Sequence, residues 1–403
     1  MLLSDGSGLT ARQVATRLAA AGHTVGVLTP DPLALTRFTR TVHRTHRVPP
    51  YGTDPFGWLA EALAAYTAGG YDVLVPTQEQ VAVLARAADR VGAAGVRTAV
   101  PGFDALVRVQ DKLAAQATLA DVGLPQPAAA VVGSAGELRG HRRLPAFVKT
   151  PIGTASRGVA RVDTPADLAR VASSWEVDGS FADGGVLVQD LVEGPLVIVQ
   201  SVFAHGSLVA SHVNLRVREG VSGGASHKRS LDLPPVREHL AALGGALGWH
   251  GALSLDAVLT DDGPRYIDVN PRLVEPGNAW ESGVDLVGAL CDLALGRTPD
   301  VQGPGRPGVA THQGLLAVLG AARQASPRRA VLAELVDLVG HRGDYRDSVE
   351  ELTPVHHDWR SAVPVAVASA ATLVAPSAWR WFSSNATANY ALDPEGWRRI
   401  RGR

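Results

Sequence analysis

The residues of this 403-residue chain best suited to chemistry are a few lysines and a strand pair rich in oxygen ligands. Lys and Arg together number 38, yet only Lys112, Lys149 and Lys228 are lysines. A composition that drifts so far toward arginine is expected to keep lysine where a compact ammonium does what a planar guanidinium cannot. All three are therefore candidate site residues. Lys149 ends an apolar run in FVKTPIGTASRGVARV (147–162), and a loop of glycine, threonine and serine follows. So little side-chain bulk lets backbone N–H groups close on an anion, and a phosphate beside Lys149 fits.

The second group lies in LSLDAVL and YIDVNPR, which present Asp256, then Asp268, Asn270 and Arg272, at a period of two. If these strands are antiparallel neighbours across the turn DDG, three oxygen-bearing side chains converge. Such a set suits Mg²⁺ shared with phosphates, an ion that keeps waters and takes few protein carboxylates. Paired acids on strands are also common as plain solvent-facing residues. Arg272 on the same face favours phosphate plus metal.

These side chains need elements to position them. The first hundred residues alternate short apolar runs with amphipathic stretches, the pattern of a parallel sheet with crossover helices. Strands are expected at Met1–Ser4, at HTVGVLTP and, third, at YDVLVPT, with helices over Thr10–Ala21 and over QEQVAVLARAADRVG. From Val109 the texture changes. VQDKLAAQATLADVG reads as a helix with Lys112 in its first turn. TPADLARVASSW is a further helix, followed by strands at VLVQDLVEG, LVIVQSVFAHG and SLVASHVNLRV. SGGASHKRS, which carries Lys228, reads as a loop, and PPVREHLAALGGALGW as a helix before the strand pair. Dense strand alternation of this kind argues for α+β. After Gly296 the Pro/Gly-rich linker RTPDVQGPGRPG opens a mostly helical part.

Composition excludes several classes. A net charge of -1 and a pI near 6.9 give no electrostatic footprint for nucleic acid. Cys291 is the only cysteine, so neither an internal disulfide nor a cysteine metal site is available. The start MLLSDGSGLTARQ lacks the features of a signal peptide, and a cytoplasmic protein is expected. The uncharged stretch SAVPVAVASAATLVAPSAW (361–379), flanked by Trp359, Arg360, Arg380 and Trp381, reads as a packing helix, a peripheral membrane contact or a weakly apolar span. Peripheral contact through residues 361–382 would put the protein at the inner membrane face.

In their order along the chain, DKLAAQATLADVGLPQP, FVKTPIGTASRGV, VLVQDLVEG, GGAS and IDVNPR resemble the ATP-grasp superfamily, in the biotin-carboxylase and carbamoyl-phosphate-synthase-like branch of carboxylate–amine ligases. The resemblance covers roughly residues 1 to 300. It implies an N-terminal Rossmann-like open sheet (1–108), an ATP-grasp core (109–300) with a nucleotide lid at about 145–188, and a helical C-terminal extension (301–403). It also implies that Lys112 and Lys149 hold the α- and β-phosphates of ATP. Gly153, Thr154, Ser156 and Gly158 would form the loop closing over the triphosphate, and Gln189, Asp190 and Leu191 the linker that meets adenine. Asp256, Asp268 and Asn270 would bind Mg²⁺, with Mn²⁺ as an alternative. Aspartate stands at both places where many relatives have glutamate. Arg272 would steady the transferred phosphoryl, and Arg216 and Lys228 would face phosphate or substrate. Leu196 stands where many relatives have a ribose-binding glutamate, which leaves Glu193 as a substitute. The activity implied is ATP-dependent phosphorylation of a carboxylate to an acyl phosphate and its coupling to an amine or similar nucleophile. A homodimer is compatible with the branch.

Two rivals remain at this point. GSGLTA (6–11) matches a dinucleotide-binding fingerprint, with Asp31 placed as a ribose acid, and would make the chain an NAD(P)-dependent oxidoreductase. The motif is equally a tight strand-to-helix turn. The other rival is a non-catalytic ATP-binding protein associated with a membrane.

Overall fold

The computed structural model describes residues 1–154, 157–221 and 223–402, with side chains described outside 383–386. Three sheets carry the fold. The first is parallel, with strands β1 (Leu2–Leu3), β2 (Val25–Thr29), β3 (Val42–Arg47) and β4 (Leu74–Val75) in the order β3-β2-β1-β4. Its inner strands are buried throughout, and the helix Leu9–Ala20 covers them with Ala11, Val14, Ala15 and Leu18. Strand β3, VHRTHR, escapes the sequence reading because it is an edge strand whose polar side chains show no apolar alternation. YDVLVPT is therefore the fourth strand, not the third. The expected helix after it breaks at Ala87 into Val81–Arg86 and Ala88–Ala93.

The second sheet joins β5 (Ala129–Val132), β6 (Ala146–Lys149), β7 (Val159–Val162) and β8 (Val186–Asp190) in the antiparallel order β5-β8-β6-β7. The helix Pro165–Val177 packs on it through Leu168, Val171 and Ala172. A reciprocal Thr164–Asp167 capping box starts that helix.

The third sheet is the scaffold of the molecule. It contains β9 (Leu196–Ala204), β10 (Ser207–Glu219), β11 (Ala225–Leu231), β12 (Gly251–Thr260), β13 (Gly263–Asn270), β14 (Ala310–His312) and β15 (Ser348–Glu350), in the order β13-β12-β9-β10-β11-β14-β15. Two expectations are corrected here. SGGASHKRS is largely strand β11, because it is paired on both sides, with β10 and β14, and most of its residues are buried there. The part after Gly296 is mostly helical, yet it lends β14 and β15 to this sheet, so a division at residue 300 cuts a continuous ladder. The helix Leu286–Ala294 lies between the first and third sheets and shares one core with Leu3, Val14, Val202 and Ala252.

Residues 361–382 form the helix Ala362–Val374, a turn, and the start of the helix Trp379–Tyr390. Ala368, Ser369 and Thr372 are buried on the inner side of the first of these. No helix among the described residues is long and apolar enough to cross a membrane.

Candidate active site

The strand register builds the centre of the site. Asp256 on β12 pairs directly with Asp268 on β13, and Ser254 with Asn270, as the antiparallel reading requires. A bulge between Asp256 and Ala257 adjusts the aim of these side chains. Asn270 Nδ2 stands 3.4 Å from Asp256 Oδ2, and Arg272 Nη2 stands 3.5 Å from Asn270 Oδ1. Burial first, and then the neighbouring Asp268, push the Asp256 carboxyl up to about 6, against Arg272 and Lys149.

The lysines arrive from the other side. Lys149 ends β6 and is buried, donating to Gln189 Oε1 at 2.8 Å and to the Ile267 carbonyl at 2.7 Å. Burial lowers its pKa, while Asp268 and Asp256 oppose that shift and Lys112 adds to it. Lys112 opens the helix Lys112–Val122, whose N-cap Asp111 accepts the Ala114 amide at 2.8 Å. That cap explains why the expected single helix breaks at Asp111. Lys112 Nζ donates to the Gly153 carbonyl at 2.9 Å and lies 4.0 Å from Asp268 Oδ1.

A cleft of about 400 Å³ holds these groups together. Phe147, Val159, Val192, Leu196 and Ile198 line an apolar region beside Gln189 and Asp190. Lys112, Lys149, Asp256, Asp268 and Asn270 occupy the middle, and Arg216, Arg272 and Glu275 line it as well. A larger hollow of about 970 Å³ shares Gly153 and Thr154 and opens outward past Arg157, Asp183 and Arg398. The smaller cleft alone combines lysines, carboxylates and Arg272, and so has the means for phosphate chemistry.

Most of the site residues expected from sequence line this cleft; the exceptions are informative. Lys228 does not face it. It is fully buried on β11 and donates at 2.6 Å to both Glu275 and Glu351. Burial alone would lower its pKa; the two carboxylates outweigh that and raise it. Glu193 is exposed and lies outside the lining, whereas Leu196 is within it. The amides of Asp190 and Leu191 already donate to the carbonyls of Ala128 and Pro145, at 2.8 and 3.1 Å. Thr154 Oγ1 donates to Glu79, and Gly158 adopts a φ of +70° where the loop returns to Thr150. Ser156 lies outside the described residues. Arg216 lines the cleft and donates to the Gly223 carbonyl at 2.9 Å.

Sequence reasoning missed several walls of the cleft. Thr10 and Gln78 line it, and so does Tyr390 from the helix Trp379–Tyr390; of Glu275, Asn278 and Trp280 in the loop VEPGNAWESG, where the sequence leads one to expect a substrate contact, only Glu275 lines it. That last helix is tied down where Asn389 Nδ2 donates to Ser7 Oγ at 3.0 Å and the Leu392 amide to Glu79 at 2.7 Å. The GSGLTA motif also finds a role here. Asp5 accepts the amides of Ser7 and Gly8 at 2.9 and 2.7 Å, so a buried carboxylate already occupies the turn that would hold a pyrophosphate.

The donor set fits Mg²⁺. Two mutually repelling carboxylates and one amide oxygen leave most positions of an octahedron to waters and phosphate oxygens, which is how that ion is usually bound. Among the described residues there is no group of three or more His, Cys, Asp or Glu suited to a metal.

No protein-family model matches the sequence, and no curated protein matches it. Solved structures do. The biotin carboxylase domain of Hydrogenobacter thermophilus 2-oxoglutarate carboxylase, solved as a dimer with MgADP, ADP and bicarbonate, superimposes with a TM-score of 0.61 at 15% identity. The match covers 77% of this chain and 72% of that one. Biotin carboxylase from Campylobacter jejuni, in a β-γ-ATP complex, gives 0.62 at 17%, covering 77% and 73%. Rhizobium etli pyruvate carboxylase gives 0.56 at 21%, covering 74% of this chain but 29% of that much longer one. At these identities the likeness is one of fold. The chain has the ATP-grasp fold in the form found in biotin carboxylase domains.

Proposed function

We propose that this chain is an ATP- and Mg²⁺-dependent ligase that phosphorylates a carboxylate to an acyl phosphate and couples it to an amine or similar nucleophile, releasing ADP and phosphate. The observation that carries this reading is the convergence of Lys112 and Lys149 with Asp256, Asp268, Asn270 and Arg272 in one cleft with an apolar end. The apolar end suits a base. Lys112 and Lys149 neutralise the α- and β-phosphates, while Gly153, Thr154 and Gly158 limit the access of water. Mg²⁺, held by Asp256, Asp268 and Asn270, would neutralise charge on the phosphates. Arg272 supports the phosphoryl group in transit, and Arg216 draws in the carboxylate. Phosphoryl transfer asks little covalent chemistry of a protein, so positioning and charge suffice.

The same reading makes the N-terminal parallel sheet a Rossmann-like domain over 1–108 and places the ATP-grasp core over 109–300, with β14 and β15 of the 301–403 part completing its sheet. It includes assembly as a homodimer. The outward stripe of Ala362–Val374, with Val367 and Val374 exposed and Arg380 and Trp381 beyond, is read as a face for peripheral membrane contact. Co-sedimentation with anionic vesicles that Arg380→Glu and Trp381→Ala abolish would support that contact, and its absence would remove it.

A nicotinamide dinucleotide at GSGLTA is opposed by the Asp5 carboxylate. The non-catalytic reading draws on Leu196 and the exposed Glu193, and predicts ATP binding without turnover. The test is thermal stability with Mg-ATP, Mg-ADP, NAD(H) and NADP(H), for the natural chain and Lys149→Ala. A ligand at about a hundred times its Kd adds roughly 2.7 kcal/mol. Stabilisation by Mg-ATP that Lys149→Ala abolishes supports the ligase; stabilisation by a nicotinamide nucleotide alone sinks it.

A further inference from the structure

Lys228, Glu275 and Glu351 form a buried trio in which one ammonium serves two carboxylates. Glu351 is closed off from solvent, and both its oxygens are used: Thr311 Oγ1 donates to one at 2.6 Å, and Gln13 Nε2 and Lys228 to the other. Glu275 is the member that reaches the cleft. Its Oε2 accepts from Lys228 and Gln313, and its Oε1 is turned to neither. The backbone is fixed just as firmly. Glu275 has a φ of +41°, a conformation that costs a non-glycine residue energy and persists where surroundings impose it. Its amide donates to Thr10 Oγ1 at 3.1 Å, and its carbonyl accepts from Gln200 at 3.1 Å.

The formal charge of the trio is -1, and it is presented to the cleft through Glu275. A second acceptor lines the same cleft. Gln78 is 3% exposed, lines the same cleft, and its Oε1 has no hydrogen-bond partner among the described residues. Gln78 packs against Gly8, two residues from the Thr10 that holds Glu275. A buried acceptor without a donor costs about 1–3 kcal/mol, which a donor reaching it would recover. The guanidinium groups of Arg216 and Arg272 line the same cleft. Residues bearing acceptors for a cation and donors for a carboxylate thus line one cleft. Bicarbonate, the anion in one structural neighbour, carries no cationic group to meet the first set.

We propose that one substrate of this site is a free amino acid, bound as a zwitterion with its ammonium at Glu275 and Gln78 and its carboxylate toward Arg216 and Arg272. This rests on the ligase reading for its place in the reaction but not for the binding itself. Lys228 is then a positioning residue that sets Glu275, and Glu275 and Gln78 select for the amine.

The experiment is a thermal-shift panel of the standard amino acids with their N-acetyl and desamino counterparts, with and without Mg-ATP, alongside ADP release. At least one free amino acid should stabilise the protein while its N-acetyl and desamino forms do not. Glu275→Gln, which leaves Lys228 paired one-to-one with Glu351, should weaken that binding at least about tenfold, and Gln78→Leu should weaken it while sparing the trio. Equal binding of a desamino acid, or no amino-acid binding in either condition, overturns the inference. Amino-acid binding with neither stabilisation by Mg-ATP nor ADP release upholds it and sinks the ligase instead.

Discussion

The hydroxyl of Thr10 accepts the amide of Glu275 at 3.1 Å, joining residues 265 positions apart. One belongs to the helix of the parallel sheet and the other to the segment leaving β13. The bond holds a strained residue of the cleft from a different sheet. Thr10→Val keeps the shape and removes the acceptor, so it should cost about 1–3 kcal/mol in urea unfolding. The KM of the non-nucleotide substrate should rise while stabilisation by Mg-ATP is unchanged. An equal loss of nucleotide binding would show that the two ends of the cleft are not separable.

Gly153 supplies the carbonyl that holds Lys112. A Cβ there would meet the Arg157 carbonyl oxygen at 2.1 Å, so Gly153→Ala must shift the loop. We expect calorimetric affinity for Mg-ADP to fall at least about tenfold, roughly 1.4 kcal/mol, with the unfolding midpoint nearly unchanged. Unchanged affinity would take the loop out of nucleotide binding.

Asp5 links the fold to pH. Burial pushes its carboxyl up to about 6, against the hydrogen bonds from Gly8 and Ser7. The folded chain then keeps this proton to a higher pH than the unfolded chain. Between pH about 4 and 6 the unfolded state releases it first, so stability falls as pH rises, by an amount on the order of 3 kcal/mol. Asp5→Asn keeps an acceptor for both amides and removes the charge. Urea midpoints from pH 4.5 to 7.5 should therefore converge near the acid end and favour the variant near neutrality. Parallel curves would mean that Asp5 does not carry this penalty.

The sequence made the centre of the site legible because its chemistry lies in short, local patterns. Asp268, Asn270 and Arg272 share a face by strand periodicity, and the DDG turn sets their register with Asp256. Lys149 precedes its own loop. What stayed hidden depends on contacts across long stretches of chain. Lys228 looked like a basic loop residue because its partners lie 47 and 123 positions away. β3 was missed for want of apolar alternation, and β14 and β15 because three-residue strands leave almost no pattern. Nothing local to Tyr390 says that it lines a cleft built from residues hundreds of positions earlier.

Trp397 anchors the segment that follows Tyr390. It is buried, 6.2 Å from the ring of Phe103, and its neighbour Arg398 lies 3.7 Å from Asp183 beside the glycine loop. Trp397→Ala should cost about 3–5 kcal/mol, as large-to-small core changes do. The KM for ATP should rise with it, because the wall bearing Tyr390 loses its footing. Lost stability with an unchanged KM would show that the wall stands without this anchor.

That wall also sets an order of events during synthesis. Ser7 and Glu79 are made early, but the groups that close on them, Asn389 and the amide of Leu392, are made more than 300 residues later. A growing chain can fold its parallel sheet and its second, four-stranded sheet while still attached to the ribosome. Its cleft stays open on one side until residue 392 clears the exit tunnel, so substrate has no finished site to enter before then.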